Sequence, residues 1–255
     1  MEVSSDEAVT LEVVDDTVLV ITINRPAARN SIDSAVATGL LRAVERLDAD
    51  PALRVGVITG AGGFFSSGMD LKAFERDGLP GDLMPFLTRA GRKPTIAAVE
   101  RFALAGGLEI ALTCDMVVAA EGARFGVPEV GVGLFAAGGA LCRLPRRLPI
   151  SVALEMALTA QPIAAEHARA YGLVNHVVPA GQVLERAIDL ARTIARNAPA
   201  ALEATRRLMY QSLDMDEPAF WELQQPLIDT IFTSDDAKEG PRAFAEKRSP
   251  IWTGK

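Results

Sequence analysis

The chain has 255 residues, 49% of them apolar and 23% charged, a balance that excludes a disordered protein and allows a substantial buried core. A net charge of −7 without any run of Lys or Arg excludes a general nucleic-acid-binding face, so a phosphate-bearing ligand needs a local cluster of cations. No apolar stretch approaches the roughly 18 residues of a spanning helix, and the acidic start Met1–Glu7 does not read as a signal or transit peptide. These features predict a cytoplasmic protein with no membrane partner.

In chain order, Leu11–Val14 and Val18–Ile23, separated by Asp15-Asp16-Thr17, predict a hairpin that Arg25-Pro26 ends. Asp33 suits the cap of a helix over 34–48, with Val36, Leu40, Leu41, Val44 and Leu47 on one face. Val55–Gly60 reads as a short buried strand leading into a glycine-rich loop. Residues 77–93, with Gly78, Pro80, Gly81, Pro85 and Gly91, read as a mobile loop. Pro94–Val99 reads as a strand, Leu108–Thr113 as a helix entered through Gly106-Gly107, and Met116–Ala120 as a strand. After about residue 145 the pattern turns helical: Ala164–Ala170, Val183–Arg196, Pro199–Leu213 and Glu217–Phe232, with one short strand near Val174–Val178. Buried, non-alternating strands separated by helices predict an α/β architecture, divided as a core over 1–195 and a helical extension over 196–255.

Two carboxylates stand in unusual company. Glu109 lies in Ala105-Gly106-Gly107-Leu108-Glu109-Ile110, and its helical neighbours at three and four positions are Ala105, Gly106, Leu112 and Thr113. A glutamate on so small and apolar a stripe has its charged form disfavoured, which moves it toward acid/base use. Glu129 follows Pro128 in Phe125-Gly126-Val127-Pro128-Glu129-Val130 and is expected to start a turn. Gly106-Gly107 ahead of a helix aims free N–H groups at its mouth, and Gly68-Met69 offers a second such donor. Two carboxylates beside backbone donors suit chemistry next to a carbonyl, where an oxyanion develops. The two cysteines, Cys114 and Cys142, read as buried thiols in a reducing compartment; with His167 and His176 far from both, no metal site is expected.

These segments, in order, resemble the crotonase (enoyl-CoA hydratase/isomerase) superfamily, closest to enoyl-CoA hydratase. Asn24-Arg25-Pro26-Ala27-Ala28-Arg29-Asn30-Ser31 resembles its N-R-P-x-x-x-N-A segment. Phe65-Ser66-Ser67-Gly68-Met69-Asp70-Leu71 and Phe102–Glu109 resemble its two oxyanion loops. Phe125–Glu129 resembles the segment bearing its second glutamate, and Tyr171–Asn175 a later signature. The likeness runs from about residue 9 to Ala245-Glu246-Lys247-Arg248.

The resemblance implies a crotonase-like spiral of repeated ββα units, with C-terminal helices that pack homotrimers, often paired as homohexamers. It implies a CoA thioester substrate, with coenzyme A part of the substrate and no further cofactor. Met69 and Gly106 N–H groups are implied as the oxyanion hole, and Glu109 and Glu129 as the catalytic pair. The pair would hold one water: one carboxylate takes a proton from it and the other delivers one to the α-carbon. The working assignment is Glu129 as base to the water or proton donor at the α-carbon, with Glu109 as its partner. Where the family carries Pro-Gly-Ala-Gly-Gly this chain reads Ala136-Ala137-Gly138-Gly139-Ala140, leaving the Ala137 N–H to position the water. Phe135 and Met69 would shape the acyl pocket. CoA contacts are implied at Arg25, Ala27, Ser67, Asp70, Leu71 and Lys72, with Arg29 a further cation, and at Phe244 and Lys247 reaching a neighbouring subunit's CoA. Within the same fold a Δ3,Δ2-enoyl-CoA isomerase needs one glutamate only. A serine hydrolase would have to draw on Ser66, Ser67 and histidines that match no triad segment, and a non-catalytic CoA-ester binder is the reading suggested by the altered 136–140 turn.

Overall fold

The computed structural model describes residues 7–89 and 91–254, so all of the acidic start except Glu7, together with Ala90 and Lys255, lies outside the described residues. The chain begins with an antiparallel hairpin, β1 (Val9–Val14) and β2 (Val18–Ile23), turned by Asp15 and Asp16, both at positive φ. Short Asx side chains tolerate that region better than others do. Helix α1 (Ser34–Ala49) is capped by Asp33, whose carboxylate accepts the Val36 N–H, and it turns Val36, Leu40 and Leu47 into the core, with Leu41 and Val44 partly buried beside them. Strand β3 (Val55–Gly60) follows, then α2 (Leu71–Asp77) and α3 (Leu83–Thr88).

Beyond them lie β4 (Thr95–Val99), β5 (Phe102–Leu104), α4 (Gly106–Thr113), β6 (Met116–Ala120) and β7 (Arg124–Gly126). The second half holds α5 (Ala140–Arg143), α6 (Ile150–Thr159), β8 (Ile163–Ala164), α7 (Ala165–Ala170), β9 (His176–Val178) and four longer helices. These are α8 (Val183–Ala195), α9 (Pro199–Gln211), α10 (Glu217–Ile231) and α11 (Asp235–Ala245).

The large sheet has the order β1-β2-β3-β4-β6-β9, parallel from β2 onward, and the small sheet the order β5-β7-β8. The chain repeatedly leaves a large-sheet strand, crosses a short turn into the small-sheet layer, and continues into a helix or turn. β4 steps to β5 and α4, and β6 steps to β7 and the 3-10 turn Pro128–Val132. Two single-pair parallel bridges, Ile32–Met69 and Ser66–Ala103, continue this layer toward the N-terminus. This is the expected spiral. Its centre is apolar and tightly filled, with Phe65, Phe125, Leu19, Ile21, Ile58 and Ile96 essentially without exposure.

The 77–93 stretch is not the loop expected. Leu83, Phe86 and Leu87 of α3 are buried, Asp82 accepts the Thr38 hydroxyl of α1 at 2.6 Å, and Arg89 pairs with Asp48 at 3.1 Å. Pro85 is compatible with helix there because the first turn needs no N–H from it. Just beyond, Lys93 is buried and donates to the carbonyls of Leu47 and Asp50, at 2.7 and 2.5 Å, closing the C-terminus of α1. The cysteine expectation holds for Cys114, whose thiol burial pushes up to about 12, but Cys142 is exposed on the outer face of α5. The short strands β5, β7 and β8 and the helices α6 and α11 were not foreseen.

The C-terminal helices are tied down by polar contacts. Arg206 of α9 pairs with Asp115 at 2.8 Å and donates to the Gly91 carbonyl. At the end of the chain, Glu239 is buried beneath Arg242 and Arg248 and accepts the Ile251 N–H, while Asp236 accepts the Thr253 and Gly254 N–H groups. No helix among the described residues is long and apolar enough to cross a membrane.

Candidate active site

The segment Arg25–Ser31 exists to shape the loop that follows β3. Asn30 is fully buried with φ 55°; its Nδ2 donates to the carbonyls of Ala61 and Phe64 at 2.9 and 2.7 Å, and its Oδ1 accepts the Arg25 N–H at 2.9 Å. Ser66 Oγ donates to the Asn30 carbonyl at 2.8 Å and accepts the Gly68 N–H at 3.2 Å. Gly68 has φ 94°, and a methyl group there would lie 2.6 Å from Ala105 Cβ and 2.9 Å from the Leu104 carbonyl oxygen, so only glycine fits. Across the Ile32–Met69 bridge, Ile32 bonds to the Gly68 carbonyl (2.8 Å) and to the Asp70 N–H (2.9 Å). That alternation turns the Met69 N–H away from the bridge.

The second donor comes from the start of α4. Ala105, with φ 50° and ψ −129°, takes a backbone conformation costly for any residue with a Cβ, and its N–H is held by the Gly126 carbonyl at 2.9 Å. The turn brings the Gly106 and Met69 nitrogens close together: a methyl on Gly106 would lie 3.7 Å from Met69 N, and one on Gly68 3.1 Å from Gly106 N. Neither N–H has an acceptor among the described residues. Two neighbouring amides without acceptors, one of them at a helix N-terminus, are groups of the kind that can hold an anion.

Glu109 lies one helical turn further along α4 and is 5% exposed. Burial raises its pKa, while the N–H groups of Ala140 (3.3 Å) and Gly138 and the charge of Arg143 pull it back. The approach is close: a methyl on Gly138 would lie 2.3 Å from Glu109 Oε2. Glu129 opens the Pro128–Val132 turn, partly buried, and its Oε2 is buried without a hydrogen-bond partner. Burial raises its pKa, a hydrogen bond from its own backbone N–H pulls it back, and the neighbouring charge of Glu109 raises it again. One carboxylate is therefore supplied with donors and a nearby cation, and the other has neither on its buried oxygen.

Residues 14–255 match the family described as enoyl-CoA hydratase/isomerase. The chain belongs to that family. An enoyl-CoA hydratase of Mycobacterium tuberculosis is 42% identical over 243 residues, covering 91% of each chain. The 2,3-dehydroadipyl-CoA hydratase of Escherichia coli is 38% identical over 244 residues, covering 93% of this chain and 96% of that one. The crystal structure of an enoyl-CoA hydratase from Mycobacterium tuberculosis superposes with a TM-score of 0.93 at 46% identity, covering 98% of this chain and all of the other.

The other residues anticipated from the family resemblance fall into three groups. Arg25 and Asp70 hold each other: the guanidinium reaches Asp70 at 3.1 Å, Asp33 at 3.2 Å and the Ser31 carbonyl at 2.7 Å, and Asp70 also caps α2 through the Ala73 N–H. Asp70 sits below the usual carboxylate range, chiefly because of that cap and then because of Arg25. Ala27, Arg29, Leu71 and Lys72 are exposed around the mouth of the loop, and Ser67 is partly buried with its N–H on the Arg29 carbonyl at 3.1 Å. Ala137 is exposed next to the turn, Phe135 is also exposed, and Phe244 and Lys247 project to solvent at the end of α11. Ser66 is fully buried and committed to the loop, which removes it from any triad. Among the described residues no cluster of His, Cys, Asp and Glu has the makings of a metal site.

Sequence reasoning gave no role to Leu87 or Arg143, and placed Asn30 and Ser66 in family-like segments without the loop-shaping contacts they make. Arg143 carries no local signal beyond its place four positions after Gly139.

Proposed function

We propose that this protein is an enoyl-CoA hydratase, adding water reversibly across the 2,3 double bond of a trans-2-enoyl-CoA. The observation that carries the reading is the unlike pair Glu109 and Glu129 beside the converging Met69 and Gly106 amides. The thioester carbonyl would receive those two N–H groups. Glu109, whose buried carboxylate is offered the Ala140 and Gly138 N–H groups and the charge of Arg143, takes a proton from the bound water as the water oxygen bonds to C3. The π electrons move through C2 onto the carbonyl oxygen, giving an enolate that the two amides stabilise, each on the order of 3 kcal/mol. Glu129, whose bare oxygen and charged neighbour favour the acid, then delivers its proton to C2. The pair titrates together, so turnover moves one proton between two coupled groups.

Lys72 and Arg29, exposed at the loop mouth, would meet the CoA phosphates in this reading. We infer further that residues 196–255 form an oligomerisation region. Met209, Leu213, Trp221 and Phe232 lie exposed on α9, α10 and the segments after them, and copies of the chain would bury them as a homotrimer or homohexamer. Phe244 and Lys247 would then be free to reach a neighbour's CoA, and light scattering of the purified protein checks the mass.

The deciding experiment follows loss of the conjugated enoyl-thioester absorbance with crotonyl-, octenoyl- and cinnamoyl-CoA. Glu109→Gln and Glu129→Gln should each lower kcat by about 10²–10⁴-fold. A Glu109→Gln enzyme that loses hydration but still moves a 3,4 double bond to the 2,3 position would assign the single-glutamate isomerase instead.

A further inference from the structure

Arg143 has no counterpart among the groups that touch substrate in the mechanism above, yet its contacts converge on that mechanism. Its Nη1 donates to the Gly138 carbonyl at 3.1 Å, and its Nη2 to the Leu87 carbonyl in the last turn of α3 at 2.5 Å. Gly139, at φ 105°, is the residue over which the guanidinium folds, and a methyl there would lie 2.4 Å from Nη1. On its other side the same turn presents Gly138 and the Ala140 N–H to the Glu109 carboxylate. Leu87 closes the arrangement, because a methyl on Gly138 would also lie 2.5 Å from Leu87 Cδ1. A planar guanidinium gives each of two divergent carbonyls its own N–H in a fixed fork, a geometry that an ammonium on a flexible stem does not reproduce.

We propose that Arg143 is a positioning residue of this active site: it clamps the Gly138–Gly139 turn to the end of α3 and thereby fixes the Glu109 carboxylate against water. The proposal rests on Glu109 being the base of the hydration reaction. The clamp acts in two ways. It sets where the turn's amides stand, and so where Glu109 Oε1 and Oε2 stand. It also places a partly buried cation close enough to be felt: burial raises the pKa of Glu109, and the Ala140 and Gly138 N–H groups and then Arg143 pull it back, while burial lowers that of Arg143 and Glu109 is among the charges opposing it. The other charged or titratable groups around the cluster are Glu129 beside Glu109, and Cys142, Arg147 and Tyr210 beside Arg143.

The test uses the full chain carrying Arg143→Gln, Arg143→Lys, Glu109→Gln and the double variant Arg143→Gln/Glu109→Gln. Each is checked by circular dichroism and assayed for kcat, KM and the pH profile of kcat/KM with crotonyl-CoA. Arg143→Gln is expected to lower kcat about 30–100-fold, the loss that a misplacement approaching 1 Å produces, with KM changed less than about 3-fold. Its acid limb should move to higher pH, because Glu109 must be ionised and has lost its cation. Arg143→Lys should keep the limb near its wild-type position while kcat still falls about 10-fold, since the charge remains and the two-carbonyl bridge does not. The double variant should be no slower than Glu109→Gln alone, within about 3-fold, because one residue acts through the other.

Three results overturn the proposal: a raised KM with unchanged kcat, a double variant slower by the full Arg143 factor, or an Arg143→Gln enzyme with the wild-type pH profile. Should Arg143→Gln fail to fold, Arg143→Lys carries the test, and wild-type kcat in that variant refutes the clamp. Failure of the underlying reading looks different, since Glu109→Gln would then hydrate at the wild-type rate.

Discussion

Gly138→Ala is a small change that should reach the proposed chemistry without replacing either glutamate. The added methyl would lie 2.3 Å from Glu109 Oε2, 2.7 Å from Glu109 Cδ and 2.5 Å from Leu87 Cδ1. Carbon pairs rest near 3.5–4.0 Å, so relief needs a displacement of about 1 Å. The turn cannot retreat freely, because Arg143 fastens the Gly138 carbonyl to that of Leu87. Leu87 itself is 1% exposed and packed in the core. The carboxylate of Glu109 is therefore the group that moves. A misplacement of about 1 Å costs about 10²-fold in rate, or about 2.7 kcal/mol in the barrier. Overpacking costs a further 1–3 kcal/mol, roughly, in stability. The expected result is a kcat lower by about two orders of magnitude with KM nearly unchanged, because no CoA contact lies on this turn. Crotonyl-CoA hydration followed by absorbance, with thermal unfolding in parallel, measures both. A variant whose kcat stays within about 3-fold of wild type would show that Glu109 tolerates displacement, and would refute this account of the turn.

Three other outcomes are expected. Glu109→Gln should be more stable than wild type at neutral pH, by about 2–4 °C in Tm, the shift that ~1 kcal/mol makes at this size. Burial raises the folded-state pKa of Glu109 above its unfolded value near 4.5. Its penalty is therefore full above the folded pKa and vanishes as pH falls to the unfolded one, and the advantage of Gln should disappear in melts below that point. Lys93→Met should cost about 2–3 kcal/mol in urea unfolding, since the Leu47 and Asp50 carbonyls both lose a charged donor. Glu239 is held well below the usual carboxylate range, first by Arg248, then by the Ile251 N–H and Arg242. Glu239→Gln should loosen the chain end, giving faster tryptic cleavage at Lys247 and Arg248 by mass spectrometry.

The α/β architecture was legible because its signal is local: buried runs such as Val18–Ile23 and Val55–Gly60 need no partner to be recognised, and Asp33 announces α1. Both glutamates were legible for a related reason, since a carboxylate among small apolar residues is conspicuous in one dimension. The small sheet was not, because strands of two or three residues give no period to read. Helix α3 hid behind the glycines and Pro80 that precede it and behind Pro85, which sits in its first turn where no N–H is needed, and the exposure of Cys142 depends on which face of a four-residue helix meets the core. Arg143 was invisible for a deeper reason. Its partners are carbonyl oxygens of Leu87 and Gly138, and main-chain acceptors leave no mark on a sequence.

The two single-pair bridges bear on how the molecule comes into being. Ile32–Met69 and Ser66–Ala103 join residues from successive turns of the spiral, and each is one residue pair wide. Such contacts offer little to a chain still searching, since closing a long loop for one pair is unfavourable until neighbouring strands are already docked. The donors at Met69 and Gly106 are therefore expected to meet only after β2, β3, β4 and β6 stand side by side. During refolding from urea, helical ellipticity should return first and enoyl-CoA turnover last, with no partially active species between, so that hydration serves as a clock for the final closure of the spiral.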